Sequence, residues 1–237
     1  MDLKEEHILG DRIGEHWYYR AKAAAVQRLL GGREFRCILD VGAGSGFFSK
    51  GLLRNTGAQE VVCVDTSYLR DWAESVEGKP IRFQRASGAL AADLVLLMDV
   101  LEHVDDDVGL LRGYLEKVPA GAQVLITVPA FSFLWSGHDI FLEHKRRYTL
   151  GEIESVAQRA GLQVEQGCYF FGAVFPLAAG LRLAGRLKAG MPEPRSDLKQ
   201  HSPLVNSLLQ RICELELPLM PFNRAFGLSA FCLARKP

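Results

Sequence analysis

A short apolar run, Ile38-Leu39-Asp40-Val41, breaks into three closely spaced glycines, Gly42-Ala43-Gly44-Ser45-Gly46, and resumes as Phe47-Phe48. This reads as a buried strand entering a glycine turn and then a helix, because glycine takes the positive φ of so sharp a reversal without strain. A second apolar run ends in an acid, Val61-Val62-Cys63-Val64-Asp65. An acid at the tip of that strand can hold two ribose hydroxyls, while the glycine turn lets a ligand approach main-chain N–H groups. Together they predict a nucleoside site. A dinucleotide fingerprint would read G-x-G-x-x-G, so that a helix N-terminus neutralises a pyrophosphate. Here the turn is G-x-G-x-G headed by Asp40, and an acid in that place repels pyrophosphate and suits an ammonium group.

A third stretch follows in order: Asp93-Leu94-Val95-Leu96-Leu97-Met98-Asp99-Val100-Leu101-Glu102-His103-Val104. The glycine turn resembles motif I of the class I S-adenosylmethionine-dependent methyltransferases. The D-V-L-E-H-V run is similar to the fourth strand and its continuation in ubiquinone-biosynthesis O-methyltransferases. Residues 135–148 read W-S-G-H-D-I-F-L-E-H-K-R-R-Y, and residues 16–20 read H-W-Y-Y-R. These resemble the W-S-x-H-D-x-x-x-x-H-x-R-R-Y and H-W-W-F-R signatures of a bacterial methyltransferase subgroup, departing at Tyr18 and Tyr19. The resemblance implies an α/β, Rossmann-like, seven-stranded sheet with an antiparallel last strand and helices on both faces. S-adenosylmethionine is the implied cofactor, held by Asp40, Gly42, Gly44, Gly46, Asp65 and Thr66, with Met98 and Asp99 toward its sulfonium end. The wider family often bonds adenine with an acid after the third strand. This chain has Phe83-Gln84-Arg85-Ala86-Ser87-Gly88 there, which leaves Ser87 or backbone for that task.

The order of motifs agrees with the segment pattern. Strands are expected over 36–41, 60–65, 81–85, 94–98, 123–129 and 162–169, with helices over 17–30, after the glycine turn, near Tyr68, near Asp106 and from Thr149. Thr149-Leu150-Gly151-Glu152 is a capping box. Residues 227–235 resemble the antiparallel strand that ends this fold. The division expected is an N-terminal helical lid over 1–32 and a cofactor-binding domain over 33–237. Within the latter, an insertion over 171–226 splits into helical halves at 174–189 and 203–217.

The 237 residues are 48% hydrophobic and 24% charged, enough for one full core. A formal net charge of +0 provides no field for a polyanion, which disfavours nucleic acid as a partner. Five cysteines without a C-x-x-C pair read as buried thiols of a reducing compartment. The charged start of the chain lacks a signal-peptide run, and the apolar run 168–181 falls short of the roughly 18 residues that span a bilayer. A cytoplasmic location is the expectation.

Methyl transfer requires that the acceptor be positioned, water excluded and, for an oxygen nucleophile, a proton removed. Such groups belong on loops at the carboxyl ends of the strands. His138 beside Asp139 is one candidate base, with His144 and His103 as others. Trp135, Arg146, Arg147 and Tyr148 are candidate acceptor contacts, the arginines for an anionic group or else for internal acids such as Glu143 or Glu152. Arg20 is expected to meet the methionine carboxylate, with Trp17 and Tyr18 closing the pocket against water. No metal is expected, since the histidines lack helical ligand spacing and no cysteine is near. Arg182 and Arg186 share a helix side, with Leu183 and Leu187 adjoining and Lys188 further round. That pattern suits either a solvated helix edge or a lipid-like acceptor and peripheral contact with a membrane surface. Two other readings are a non-catalytic cofactor-binding protein on this scaffold and a nicotinamide-dependent oxidoreductase.

Overall fold

The computed structural model describes residues 9–189, 193–197 and 201–237, without the side chains of residue 11 and residues 186–189. Five parallel strands form the middle of the sheet: β1 (Cys37–Val41), β2 (Glu60–Val64), β4 (Lys79–Gln84), β5 (Leu94–Met98) and β6 (Gln123–Pro129). β1 and β5 are buried along their whole length, as near-continuous apolar strands must be when both sheet faces are covered. Alternate residues divide between two cores. Ile38, Leu94 and Leu96 face helices α1 (Trp17–Leu30) and α2 (Phe47–Asn55), while Leu39, Val95 and Leu97 face α3 (Asp107–Leu115) and α5 (Leu150–Arg159). A short helix, α4 (Gly137–Phe141), lies in the loop after β6.

The sheet has eight strands in the order β3-β4-β2-β1-β5-β6-β8-β7. β7 (Gln163–Phe170) and β8 (Ser229–Arg235) complete one side, with β8 antiparallel to both neighbours. At the other edge, β3 (Trp72–Val76) pairs antiparallel with β4, where a helix near Tyr68 is expected from sequence. The reason is the two-residue turn Glu77-Gly78, both at positive φ (52° and 80°), the geometry that matches a tight hairpin to the twist of its strands. Trp72 then stacks on Phe83 with ring centroids 4.3 Å apart. β1 lies between β2 and β5, whose crossovers run to opposite sides, so the carboxyl ends of β1 and β5 form the topological switch point where such sheets bind ligands.

α1 differs from the expected lid. Tyr19, Ala21, Lys22, Ala25, Val26, Leu29 and Leu30 are buried, and the helix ends on Gly31 in the left-handed region. From Tyr19 onward it is a layer of the core, and only its first turn overhangs the sheet edge. Residues 1–8 of that expected lid lie outside the described residues. The insertion supplies α6 (Phe175–Ala189) and α7 (Pro203–Glu216). Asn206 of α7 accepts from Trp17 N at 2.9 Å and donates to Glu15 O at 2.9 Å, and Glu216 accepts from Gly172 N and Ala173 N. Arg182 of α6 donates to Leu134 O and Asp197. These contacts hold both helices against the sheet's carboxyl edge. The expected stripe through Arg186, Leu187 and Lys188 falls on side chains outside the described ones.

The five cysteines are all buried and free, and burial pushes Cys37, Cys168, Cys213 and Cys232 up to about 12, so they are inert thiols. The core position of Tyr19 has a measurable consequence. Tyr19→Ala should lower unfolding free energy by about 3–5 kcal/mol in urea titration, against about 0.5 kcal/mol or less for exposed Arg20→Ala. Equal losses would remove α1 from the core.

Candidate active site

Gly42, Gly44 and Gly46 at the β1 exit have φ of +65°, +54° and +70°. A Cβ on Gly42 would lie 2.6 Å from Val100 Cγ2, so the turn is closed to larger residues by packing as well as by backbone conformation. Asp65, at the β2 exit, accepts from Gly44 N at 3.1 Å through Oδ2, and from Ser67 N and its hydroxyl through Oδ1. Its two carboxyl oxygens still have room for further donors. Thr66 beside it is exposed. Asp40 is buried below the turn; Ser49 donates to its Oδ2, and its Oδ1 has no partner. Burial pushes its carboxyl up to about 6, against the pull of the Ser49 hydrogen bond.

Unpartnered buried side-chain atoms gather at this edge. Among the described residues they are Trp17 Nε1, Asp40 Oδ1, Ser45 Oγ, Ser87 Oγ, both Glu102 oxygens and Gln123 Oε1. All but Gln123 belong to the carboxyl ends of β1, β4 and β5 or to the first turn of α1. Folded proteins leave few such atoms, and a cluster of them is a set of partners for a polar ligand.

The first turn of α1 is seated by aromatic contacts: Tyr18 stacks on Phe171 at 5.0 Å, and Trp17 meets the same ring edge-on at 5.8 Å. Arg20 is exposed and does not enter the site. The cation that does is Lys22, which the sequence analysis did not single out. Two residues apart on a helix means about 200° of rotation, so Arg20 and Lys22 point in nearly opposite directions. Lys22 is fully buried, paired with Asp99, and 3.3 Å from the Tyr18 hydroxyl. Burial alone would lower its pKa, but Asp99 holds it above the ordinary lysine range; Lys22 in turn outweighs burial at Asp99 and keeps that carboxyl low. Asp99 adopts positive φ (56°) just past β5 and accepts from Thr127 Oγ1 at 3.2 Å. Met98 is buried behind it. The signal for Lys22 was a lone cation on the apolar face that runs through Tyr19, Val26 and Leu29.

The long loop after β6 is closed at its base, where Phe131 N donates to Tyr148 O and Tyr148 N to Pro129 O. Asp139 is its hub. Its buried carboxylate accepts two bonds from Arg147 (2.7 and 2.9 Å), one from Ser136 N (2.7 Å) that closes the capping box of α4, and one from His144 Nδ1 (3.0 Å). Burial works to raise Asp139, and the His144 and Arg147 hydrogen bonds overcome it, holding the carboxyl well below the usual range. The carboxylate–histidine pair is therefore Asp139 with His144, not with His138. His138 Nδ1 accepts from Asp197 N at 3.1 Å, so the insertion uses that ring.

Two expected acceptor contacts are structural. Arg147 is buried on Asp139 and Ala130 O, and Tyr148 is buried with its hydroxyl 3.0 Å from Asp107 and 3.1 Å from Leu101 O. Arg146 binds Asp105 O at 3.0 Å and Asp107 at 3.5 Å, neither of the acids anticipated for it. Trp135 is half-buried beside Ser136. Across the loop, His144 Nε2 lies 3.9 Å from Glu102 Oε1, and its ring meets His103 edge-on at 4.8 Å. Burial, and then the charge of Asp99, push Glu102 well above the usual carboxylate range.

Residues 15–167, more than half of the chain, match the family model described as "Methyltransferase domain". No curated protein matches the chain. Solved structures share its fold at low identity. The chain solved in complex with the Haloferax volcanii Trm112 methyltransferase activator aligns with a TM-score of 0.57 at 15% identity, covering 95% of this chain and 92% of that one. Phosphoethanolamine N-methyltransferase 2 of Haemonchus contortus, in complex with S-adenosyl-L-methionine, gives 0.56 at 16%, over 100% and 60%. The N-methyltransferase NodS of Bradyrhizobium japonicum, with S-adenosyl-L-homocysteine, gives 0.55 at 11%, over 99% and 96%.

Asp139→Asn leaves Arg147 buried without its counter-charge, and should lower stability by about 3–5 kcal/mol at pH 7. Because the folded carboxyl is held below its ordinary value of 3.8, its contribution is complete above that pH and is lost as pH falls toward the folded value. Denaturant titrations of both proteins should thus show a gap that narrows below about pH 4; a gap independent of pH would show that the charge is not what matters.

Proposed function

Since the chain belongs to the class I S-adenosylmethionine-dependent methyltransferases, we propose that it methylates an oxygen of a small or lipid-like acceptor between the β5 and β6 exits and the helical insertion. The observation that carries this reading is the glycine turn with Asp65 facing Gly44 N and an orphaned Asp40 oxygen beneath it. Asp65 holds the ribose hydroxyls, Asp40 Oδ1 supports the methionine ammonium, and Ser87 Oγ serves the adenine side. Trp17 and Tyr18, seated on Phe171, shield that end from water. When bound, S-adenosylmethionine supplies an electrophilic methyl group, so the remaining work of the chain is to orient the acceptor and manage its proton.

His144 is the group best arranged for that proton. Donation from Nδ1–H to Asp139 leaves Nε2 as a lone pair directed to the Glu102–His103 side. His138 has the opposite tautomer, its Nδ1 already accepting. An apolar acceptor is favoured by the insertion, where Leu177, Leu181, Leu204, Leu208, Leu219 and Phe222 are exposed. The same side chains support peripheral contact with a membrane surface, which flotation with anionic liposomes at low salt tests. Among the described residues no helix is long and apolar enough to cross a membrane.

Calorimetry should show binding of S-adenosylmethionine and none of NAD. Asp65→Ala should weaken it about 10- to 100-fold, or about 1.5–3 kcal/mol, and unchanged affinity would remove Asp65 from the site. Affinity should also rise as pH passes about 6, where buried Asp40 ionises to meet the ammonium. Asp40→Asn should flatten that rise; an identical profile would assign the pH dependence elsewhere. Incubation with lipid and metabolite extracts, read by mass spectrometry for the gain of one methyl group, identifies the acceptor.

A further inference from the structure

We propose that α7 (Pro203–Glu216) and the turn that follows it form the contact between two copies of this chain related by a two-fold axis. The helix is apolar on opposite sides. Leu209, Ile212 and Cys213 pack into the core, and Asn206 fixes the helix by holding Glu15 and Trp17. On the other side, Leu204, Leu208 and Leu215 fall within about 40° of one another, and Leu219 and Phe222 continue the stripe. These five side chains are 59–84% exposed. A helix apolar all round belongs between two layers, and among the described residues only one layer covers it. The stripe exposes roughly 700 Å², above the largest patch of about 300–600 Å² on a typical monomer and close to the about 800 Å² that each partner gives to a stable complex.

The order of the stripe points to a second copy as its cover. Its leucines stand at 204, 208, 215 and 219, so the stripe reads the same in both directions about a point between Arg211 and Ile212. An isologous contact requires that self-complementarity. In an antiparallel pair centred there, Leu204 meets the partner's Leu219, and Leu208 meets the partner's Leu215. An open groove of about 430 Å³, with Leu219, Phe222 and Phe226 in its wall, lies at one end of the stripe and receives the partner's Leu204.

Charge obeys the same symmetry. Antiparallel pairing about a two-fold axis brings like flanks of the helix together, and Arg211 and Glu214 share a flank, so the arginine of each copy faces the glutamate of the other. Within one chain Glu214 accepts from Gln210 through Oε1 at 2.6 Å, which leaves Oε2 for that ion pair. An anionic membrane surface fits α7 less well. The helix carries one arginine against two glutamates, whereas helices that lie on such surfaces are rich in lysine and arginine.

Sedimentation velocity of the full-length, untagged chain from about 0.5 to about 100 µM tests the contact. Expected is a concentration-dependent rise from the mass of one chain to that of two, with nothing larger, because a two-fold contact closes on itself. Leu208→Asp and Leu215→Asp should each weaken dimerisation by about 100-fold or more, since symmetry counts each change twice. Far-UV circular dichroism and the urea midpoint check that each variant is folded. Arg211→Glu should weaken dimerisation by about 10-fold or more, and adding Glu214→Arg to it should restore the parent's affinity. If the leucine variants do not fold, this charge exchange decides. A chain still monomeric at about 100 µM would overturn the proposal, as would dimers that persist in the folded leucine variants or an exchange that restores nothing. A monomer that floats with anionic liposomes, and loses flotation with Leu208→Asp, would also overturn it and give the face to a membrane. None of these readouts depends on methyl transfer.

Discussion

The long loop after β6 is built on one buried carboxylate. Asp139 takes bonds from Ser136, His144 and Arg147 within a single loop, and each removes a different freedom. Ser136 starts α4, Arg147 anchors the returning strand of the loop through Ala130 O, and His144 acquires a fixed ring orientation and tautomer. A buried charge without such partners would neutralise itself or unfold the loop. With them, a segment of nearly twenty residues is tied into the scaffold, and the His144 ring is oriented by a chain of hydrogen bonds that ends in the Arg147 guanidinium.

A second buried pair, Lys22 with Asp99, does the same for the exit of β5. It ties a helix from the start of the chain to the end of β5, at the point where the backbone takes a positive φ. A structural ion pair of this kind contributes little net stability compared with an apolar substitute, but it specifies register, because any other seating of α1 would strand one charge. α1 is thereby both a core layer and the support for the aromatic turn of Trp17 and Tyr18.

These two satisfied networks set off the atoms that are not satisfied. Asp40 Oδ1, Ser45, Ser87 and Glu102 lie among fully bonded neighbours on the same edge. The contrast separates atoms still open to a ligand from polar groups that are bonded within the fold. Arg147 and Tyr148 are buried and bonded internally, to Asp139 and to Asp107, and hold the loop together.

The chain by itself determined the parallel middle of the sheet and the glycine turn that follows β1. Those signals are local: apolar runs, glycines where the backbone must turn, and an acid at a strand tip all act within a few residues. The hairpin of β3 and β4 was also locally encoded, in Glu77-Gly78 between extended runs, though the expected helix masked it. What only the tertiary structure decided was the partner of each charge. His138 is the immediate neighbour of Asp139 and His144 lies five residues on, yet it is the farther ring that bonds it, because α4 closes the loop on His144 and Asp197 arrives from the insertion at His138. Arg20 and Lys22 differ by two positions, and the burial of one helix face sends the first to solvent and the second to Asp99. Glu102 and His144 meet because two crossovers return their loops to one edge. Hydrogen bonding and burial are properties of that three-dimensional neighbourhood, and no linear spacing records them.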